Sequence, residues 1–129
     1  MKNHMDLNVL GTLRDVMEGE YPALLEVFIK DSERRVIELN ELIQSADFSS
    51  PGPLQLKQLA DKVHSFKGSC SNMGAAHLAD LCRELEDQAR SPAPPGAAEI
   101  RQSVAAITSE FAVVRDLFDV QLESALKGF

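Results

Sequence analysis

The residues with the clearest chemical potential lie in the stretch HSFKGSCSNMGA, which runs from His64 to Ala75. His64 is followed three residues later by Lys67 and four residues later by Gly68. An imidazole nitrogen is nucleophilic near neutral pH and can carry a group covalently. A glycine inside a helix costs about 1 kcal/mol relative to alanine. This cost suggests that the helix surface beside His64 needs to be free of a side chain at position 68.

The residues around His64 predict a helix that leaves the histidine near solvent. Apolar residues recur there at spacings of three and four, which is typical of one buried helix face: Leu56, Leu59, Val63, Phe66 and Cys70. At about 100° per residue, His64 lies about 120° from the centre of this stripe. Side chains on a helix lean over the preceding turn, so Gly68 at i+4 leaves the imidazole uncovered.

A phosphoryl group fits this arrangement. It needs clearance around the nitrogen, which Gly68 supplies, and a balancing cation, which Lys67 supplies from i+3. Ser69 and Ser71 are further candidate hydrogen-bond donors, although serine is also common on helix surfaces. From these residues alone two interpretations stay open: a phosphoryl carrier at His64, or an exposed histidine beside a tolerated glycine.

The whole chain has helical periodicity and no strand-like alternation. We predict a short first helix from about Leu7 to near Gly19 and four longer helices, Pro22–Ser45, Pro53–Cys70, Ala75–Ala89 and Ala97–Leu126. Proline-rich or turn-forming stretches separate them. Short connections between long amphipathic helices predict an all-α fold, an antiparallel up-down-up-down four-helix bundle with a short additional N-terminal helix. We assign one domain to residues 6–129 and expect residues 1–5 to be a disordered start or a remnant of cloning.

Composition narrows the range of partners. The chain has 129 residues and a net charge of −7, which disfavours nucleic acid because phosphates would be repelled. No apolar run approaches the roughly 20 residues that span a membrane, and there is no signal peptide, so we expect no membrane contact and a cytoplasmic location.

Cys70 and Cys82 lie at apolar positions and are expected to be reduced packing residues. His64 and His77 alone make a weak metal ligand set, and we expect His77 at the surface.

The run H-x-x-K-G-S-x-x-x-x-G-A that begins at His64 resembles the signature of histidine phosphotransfer (HPt) domains, the modules of multistep two-component phosphorelays. The resemblance continues into the stretch LADLCRELEDQAR through four residues, Leu81, Cys82, Leu85 and Glu86. Phe66 and Met73 depart from the leucine usual at their positions, and Cys70 stands where alanine or serine is common. These departures leave every functional group of the motif in place.

The resemblance implies that His64 accepts a phosphoryl group through Nε2 from an aspartate on one receiver domain and passes it to another. Lys67 would steady the phosphoryl oxygens, and Gly68 would keep the approach open. The implied partners are the receiver domain of a hybrid sensor histidine kinase and that of a response regulator. We expect no cofactor in this chain and Mg²⁺ on the partner receiver domain. The sequence has no nucleotide-binding motif, so we expect a monomeric phosphocarrier, not an enzyme that uses ATP.

A partner must contact the surface around His64. The apolar candidates for this contact, each of which could instead be buried between the short helix and the bundle, are Leu10, Leu13, Met17, Leu24, Val27 and Phe28. Arg34 and Arg35 would pair with an acidic receiver surface or form an ordinary solvated helix face. The alternative function is a non-phosphorylated helical adaptor that binds a receiver or another signalling partner.

Overall fold

The computed structural model of the protein describes residues 3–128, apart from the side chains of residues 46 and 47. Its α-helices are α1 (Leu7–Met17), α2 (Tyr21–Gln44), α3 (Pro53–Asn72), α4 (Ala76–Arg90) and α5 (Ala97–Gly128). Short 3-10 helices at Glu18–Glu20 and Ala46–Ser49 join α1 to α2 and lead from α2 toward α3. No strand occurs between residues 3 and 128, so the all-α prediction is confirmed.

Local sequence signals set the starts of the helices. The Asp6 side chain caps α1, because its Oδ1 accepts a hydrogen bond from the backbone N–H of Asn8 at 2.9 Å. Pro22 lies in the first turn of α2, and Pro53 begins α3. Proline is favoured at these positions because its missing N–H would have no partner inside the helix.

Helices α2 to α5 form the predicted antiparallel up-down-up-down bundle. α2 and α4 each pack against both α3 and α5. Between α2 and α5, Asn40 donates to Thr108 at 3.1 Å, and the rings of Phe28 and Phe118 lie 4.9 Å apart. From one contact to the other the residue number falls in α2 and rises in α5, so these two helices are antiparallel. The core contains the apolar residues predicted for α5, namely Ile100, Val104, Ile107, Phe111, Val114 and Phe118.

The segment before α1 lies against the bundle. The backbone N–H of His77 donates to the carbonyl of Asn3 at 2.9 Å, and His4 Nδ1 lies 2.6 Å from Glu110 Oε2. Glu110 is only 6% exposed, so His4 supplies a partner to a buried carboxylate. Asn3 and His4 therefore contact the bundle, while a disordered start or a remnant of cloning at residues 1–5 stays a prediction. Residues 1 and 2 lie outside the described part of the chain, as does residue 129 of the predicted domain.

The turn between α3 and α4 depends on Gly74. Its φ of 75° lies in the left-handed region that favours glycine. A Cβ atom at this position would also come within 3.0 Å of the Asp6 carbonyl oxygen and 3.1 Å of Val9 Cβ. Glycine at this turn therefore allows the close approach of Asp6 and of Val9 in α1.

Candidate functional site

His64 lies on the outward face of α3, where 62% of its side chain is exposed. Its neighbours Val63 and Phe66 occupy the inward face and are fully buried. Because these residues anchor the helix, the position of the histidine is set by a rigid element. The imidazole is accessible to a second protein.

Glu86 of α4 orients the imidazole. His64 Nδ1 lies 2.8 Å from Glu86 Oε2. An ionised carboxylate only accepts hydrogen bonds, so Nδ1 carries the hydrogen. In a neutral imidazole the other nitrogen, Nε2, then holds a free lone pair. No residue from 3 to 128 hydrogen-bonds to Nε2, so this atom is available as a nucleophile.

Glu86 also binds two cations. Its Oε1 accepts from Lys67 Nζ at 2.7 Å, and its Oε2 accepts from Arg90 Nε at 3.0 Å. Arg90 Nη2 in turn lies 3.4 Å from Asp61 Oδ1 on α3. The Glu86 side chain is only 9% exposed, and the desolvation of its charge raises its pKa. Hydrogen bonds from Lys67 and Arg90, together with the charges of Lys67 and His64, outweigh that effect and lower the pKa of Glu86 from 4.5 to about 2.

This pKa makes Glu86 a source of acid-sensitive stability. A carboxyl group with a depressed pKa in the folded state stabilises the protein above its unfolded pKa of 4.5. That contribution is lost as the pH falls toward the folded pKa of about 2. Between about pH 6 and about pH 3 we expect the free energy of unfolding of the wild type to fall by about 2 kcal/mol more than that of Glu86→Gln. Urea unfolding at both pH values measures this difference, and equal losses in the two proteins would refute the assignment.

Gly68 leaves open space beside the imidazole. A Cβ atom built at Gly68 meets no other heavy atom within 4 Å, apart from its chain neighbours and the helix backbone. The glycine is therefore not required by packing within the chain, and its φ is not in the left-handed region. Lys67, one residue before, is partly exposed at 29% of its side chain. Its four-methylene stem allows the ammonium group to leave Glu86 for another anion nearby.

Substitutions at Gly68 separate the effect of space from the effect of helix stability. Gly68→Ala should stabilise the protein by about 1 kcal/mol, because the site is a helix interior with room for a methyl group. Gly68→Gln should place a long side chain over the imidazole, and if His64 carries a phosphoryl group, as the resemblance implies, it should slow phosphoryl transfer by about tenfold. Thermal unfolding and a transfer assay on both variants make the comparison. Transfer by Gly68→Gln at the wild-type rate would contradict this explanation of the glycine.

Other groups with chemical potential lie among the described residues. Cys70 and Cys82 are free and buried, and burial together with the neighbouring Cys82 raises the pKa of the Cys70 thiol. The rings of His4 and His77 meet edge to face with centroids 6.1 Å apart. Within residues 3–128 no group of three acidic, histidine or cysteine side chains is arranged to hold a metal ion. No helix in that range is both long and apolar enough to cross a membrane.

Comparison with known proteins identifies the family. The family model of the Hpt domain matches residues 23–110, which is more than half of the chain. The chain belongs to the Hpt family. It is also similar to the crystal structure of histidine-containing phosphotransfer protein B (HptB) from Pseudomonas aeruginosa PAO1, with 37% sequence identity and a TM-score of 0.80. That alignment covers 96% of this chain and 98% of HptB. A search of curated proteins gave no match.

Membership in the Hpt family establishes the general function. The protein is a histidine phosphotransfer protein of phosphorelays. Hpt proteins are phosphocarriers, not kinases, and they interact with receiver domains. The resemblance read from the sequence is thereby confirmed.

The structure reduces the set of apolar residues available for docking on this Hpt protein. Leu10 and Phe28 are buried in the core. Leu13, Met17 and Leu24 are partly buried and pack against it. Val27 is the member of the predicted set that remains largely exposed, at 64%. The reason is that α1 and the start of α2 bury most of their apolar side chains within the fold.

Glu86, Arg90 and Asp61 were not among the site residues predicted from the sequence. Glu86 follows Leu85 of the buried stripe of α4, and it is itself almost buried. A charged residue next to an apolar stripe is the signal that could have found it, since buried carboxylates need partners. Its pairing with His64 depends on the register between α3 and α4, which periodicity does not determine.

Proposed function

We propose that His64 of this Hpt protein is the residue that carries the phosphoryl group, on its Nε2 atom. The observation that carries the proposal is the hydrogen bond from Nδ1 to Glu86, because it leaves Nε2 with a lone pair. The exposed ring and the open space at Gly68 give a partner access to that atom. Transfer between two docked proteins relies mainly on positioning and charge stabilisation.

The proposed transfer step forms a bond from phosphorus to nitrogen and breaks a bond from phosphorus to oxygen. Nε2 attacks the phosphorus of an aspartyl phosphate, so that the P–N bond forms while the P–O bond to the aspartate breaks. The electron pair leaves on the aspartate carboxylate. Nδ1 keeps its hydrogen, and the ring therefore gains a positive charge, which the Glu86 carboxylate at 2.8 Å stabilises. The second transfer reverses these steps, with the carboxylate of another receiver as the nucleophile.

Lys67 has the role of steadying the phosphoryl oxygens in this proposal. Its ammonium group lies on Glu86 in the unphosphorylated protein, 2.7 Å from Oε1. When a dianionic phosphoryl group arrives at His64, Lys67 can turn toward it while Arg90 continues to balance the charge of Glu86. Gly68 has the role of leaving the approach open, with nothing within 4 Å of its Cβ position.

We place the Mg²⁺ of the reaction on the receiver domain, where it would neutralise charge on the phosphoryl oxygens. The carboxylate next to the ring in this chain, Glu86, already accepts hydrogen bonds from His64, Lys67 and Arg90. The donor we propose is the receiver domain of a hybrid sensor histidine kinase, and the recipient is the receiver domain of a response regulator. We further propose that the protein acts as a cytoplasmic monomer, in keeping with its free cysteines and a core built from one chain.

A transfer assay against a panel of receiver domains tests this function. Each receiver is phosphorylated with radiolabelled phosphate in the presence of Mg²⁺ and mixed with the Hpt protein. We expect label to move onto the Hpt protein from one receiver and then off it to a second receiver. Binding to receivers without movement of label in any combination would favour the adaptor function instead.

A further inference from the structure

A cleft of about 260 Å³ lies between α2 and α3, and its lining includes the residue that follows His64. Its lining consists of Arg35, Glu38, Leu39, Asp61, Lys62 and Ser65. Ser65 directly follows His64 in α3, and its Oγ accepts a hydrogen bond from Arg35 Nη1 at 3.0 Å. Leu39 is only 1% exposed and gives the cleft an apolar wall. A standard interface covers roughly 800 Å² of each partner, an area wide enough for a receiver docked on His64 to extend to this cleft.

The carboxylates in and around the cleft already have cationic partners. Glu38 pairs with Arg34 at 2.9 Å. Asp61 pairs with Lys57 at 2.7 Å and with Arg90 at 3.4 Å. Their negative charge is therefore largely balanced within the chain, and a cationic partner would gain little from them.

Two cationic side chains of the cleft have N–H groups that no described residue binds. Lys62 is exposed and has no hydrogen bond or ion pair with any residue from 3 to 128. Arg35 donates through Nε to Asp31 at 2.7 Å and through Nη1 to Ser65, and its Nη2 has no partner within the same range. Guanidinium carries five N–H groups, so Arg35 can still bind another acceptor. The cleft thus offers donors and positive charge beside an apolar wall.

The local charge contrasts with that of the whole chain, which has a net charge of −7. The cleft and the ion-pair network that links it to His64 contain four carboxylates, those of Asp31, Glu38, Asp61 and Glu86. They also contain six cations, Arg34, Arg35, Lys57, Lys62, Lys67 and Arg90. Within this set the cations outnumber the carboxylates, which favours contact with an acidic surface.

We propose that this cleft receives an acidic side chain of the receiver domain, whose carboxylate binds Lys62 and Arg35 and whose methylene groups contact Leu39. The proposal rests on the proposed function and adds a determinant of partner choice to it. A receiver with a basic side chain at the same place would meet unpaired positive charge and bind poorly.

Reversal of the charge at Lys62 tests the proposal. With a receiver that transfers phosphate to the wild type, Lys62→Glu should raise the KM for the phosphorylated receiver by about tenfold and change the maximal rate by less than about twofold. The matched control is Lys127→Glu, which makes the same change of charge on an exposed side chain near the end of α5. This control should leave both constants within about twofold of the wild type. Salt at about 0.5 M should reduce the effect of Lys62→Glu, because it screens exposed charges.

A binding measurement separates the docking proposal from the transfer function. In a His64→Gln background, Lys62→Glu should raise the Kd for the unphosphorylated receiver by about tenfold relative to His64→Gln alone. Replacement of an acidic residue on the receiver surface with lysine should restore the affinity for Lys62→Glu. Equal effects of Lys62→Glu and Lys127→Glu on KM and Kd would overturn the docking proposal. If Lys62→Glu weakened binding and Lys127→Glu did not, the docking proposal would be supported even if the wild type transferred no phosphate. In that case only the proposed transfer function would fail.

Discussion

His64→Gln is expected to reduce acceptance of phosphate from a receiver by at least about 1,000-fold, to the limit of detection. The amide nitrogen of glutamine is not a nucleophile, and no other described residue combines a free ring nitrogen with the open space at Gly68. The variant should keep its fold, because 62% of the His64 side chain is exposed and the glutamine amide can still donate to Glu86.

The control for His64→Gln is receiver binding. A phosphocarrier that has lost its acceptor should bind the unphosphorylated receiver with a Kd within about threefold of the wild type, because the surrounding surface is unchanged. Circular dichroism and urea unfolding establish that the bundle is intact. Residual transfer by His64→Gln above about one tenth of the wild-type rate would mean that another residue carries the phosphoryl group.

Glu86→Ala should give the second largest effect, a fall in the transfer rate of roughly 10- to 100-fold, by analogy with the loss of the carboxylate that orients a metal-ligating histidine. The change deletes the acceptor of the Nδ1 hydrogen and the negative charge that balances the phosphorylated ring. It also leaves Lys67 and Arg90 without their shared anion. The measurement is the single-turnover rate of transfer from a phosphorylated receiver.

Glu86→Gln separates the loss of the negative charge from the loss of the hydrogen-bond acceptor, which Glu86→Ala removes together. Glutamine keeps a carbonyl oxygen that can accept from Nδ1 but lacks the charge that stabilises a cationic ring. We expect its transfer rate to lie between those of the wild type and Glu86→Ala. If Glu86→Ala transferred phosphate as fast as the wild type while remaining folded, the orienting role of Glu86 would be wrong.

The fold was predictable because the apolar residues of each helix repeat at the helical period. The stripe through Leu59, Val63 and Phe66 predicted both the buried face of α3 and the exposed side of His64. Turn-forming residues marked the helix ends, and Gly74 occupies the positive-φ position of one such turn. These signals are local, so a single sequence carries them.

Contacts between helices were less predictable, because they depend on register. The pairing of His64 with Glu86 spans 22 residues, and that of His4 with Glu110 spans 106. Neither pair leaves a mark on the spacing of apolar residues. Leu10 and Phe28 were open candidates for docking, because the sequence does not say how α1 lies against the bundle, and the structure buries both residues.

The position of the phosphoryl group on the phosphorylated protein is the direct test of the proposed role of His64. After transfer from a receiver, peptide mapping by mass spectrometry and ³¹P NMR should find one phosphoryl group, bound to Nε2 of His64. It should be lost in acid and kept in alkali, as expected for a P–N bond. A phosphoryl group on a serine, on His77 or on any other residue, or a P–N bond at Nδ1 of His64, would contradict the account.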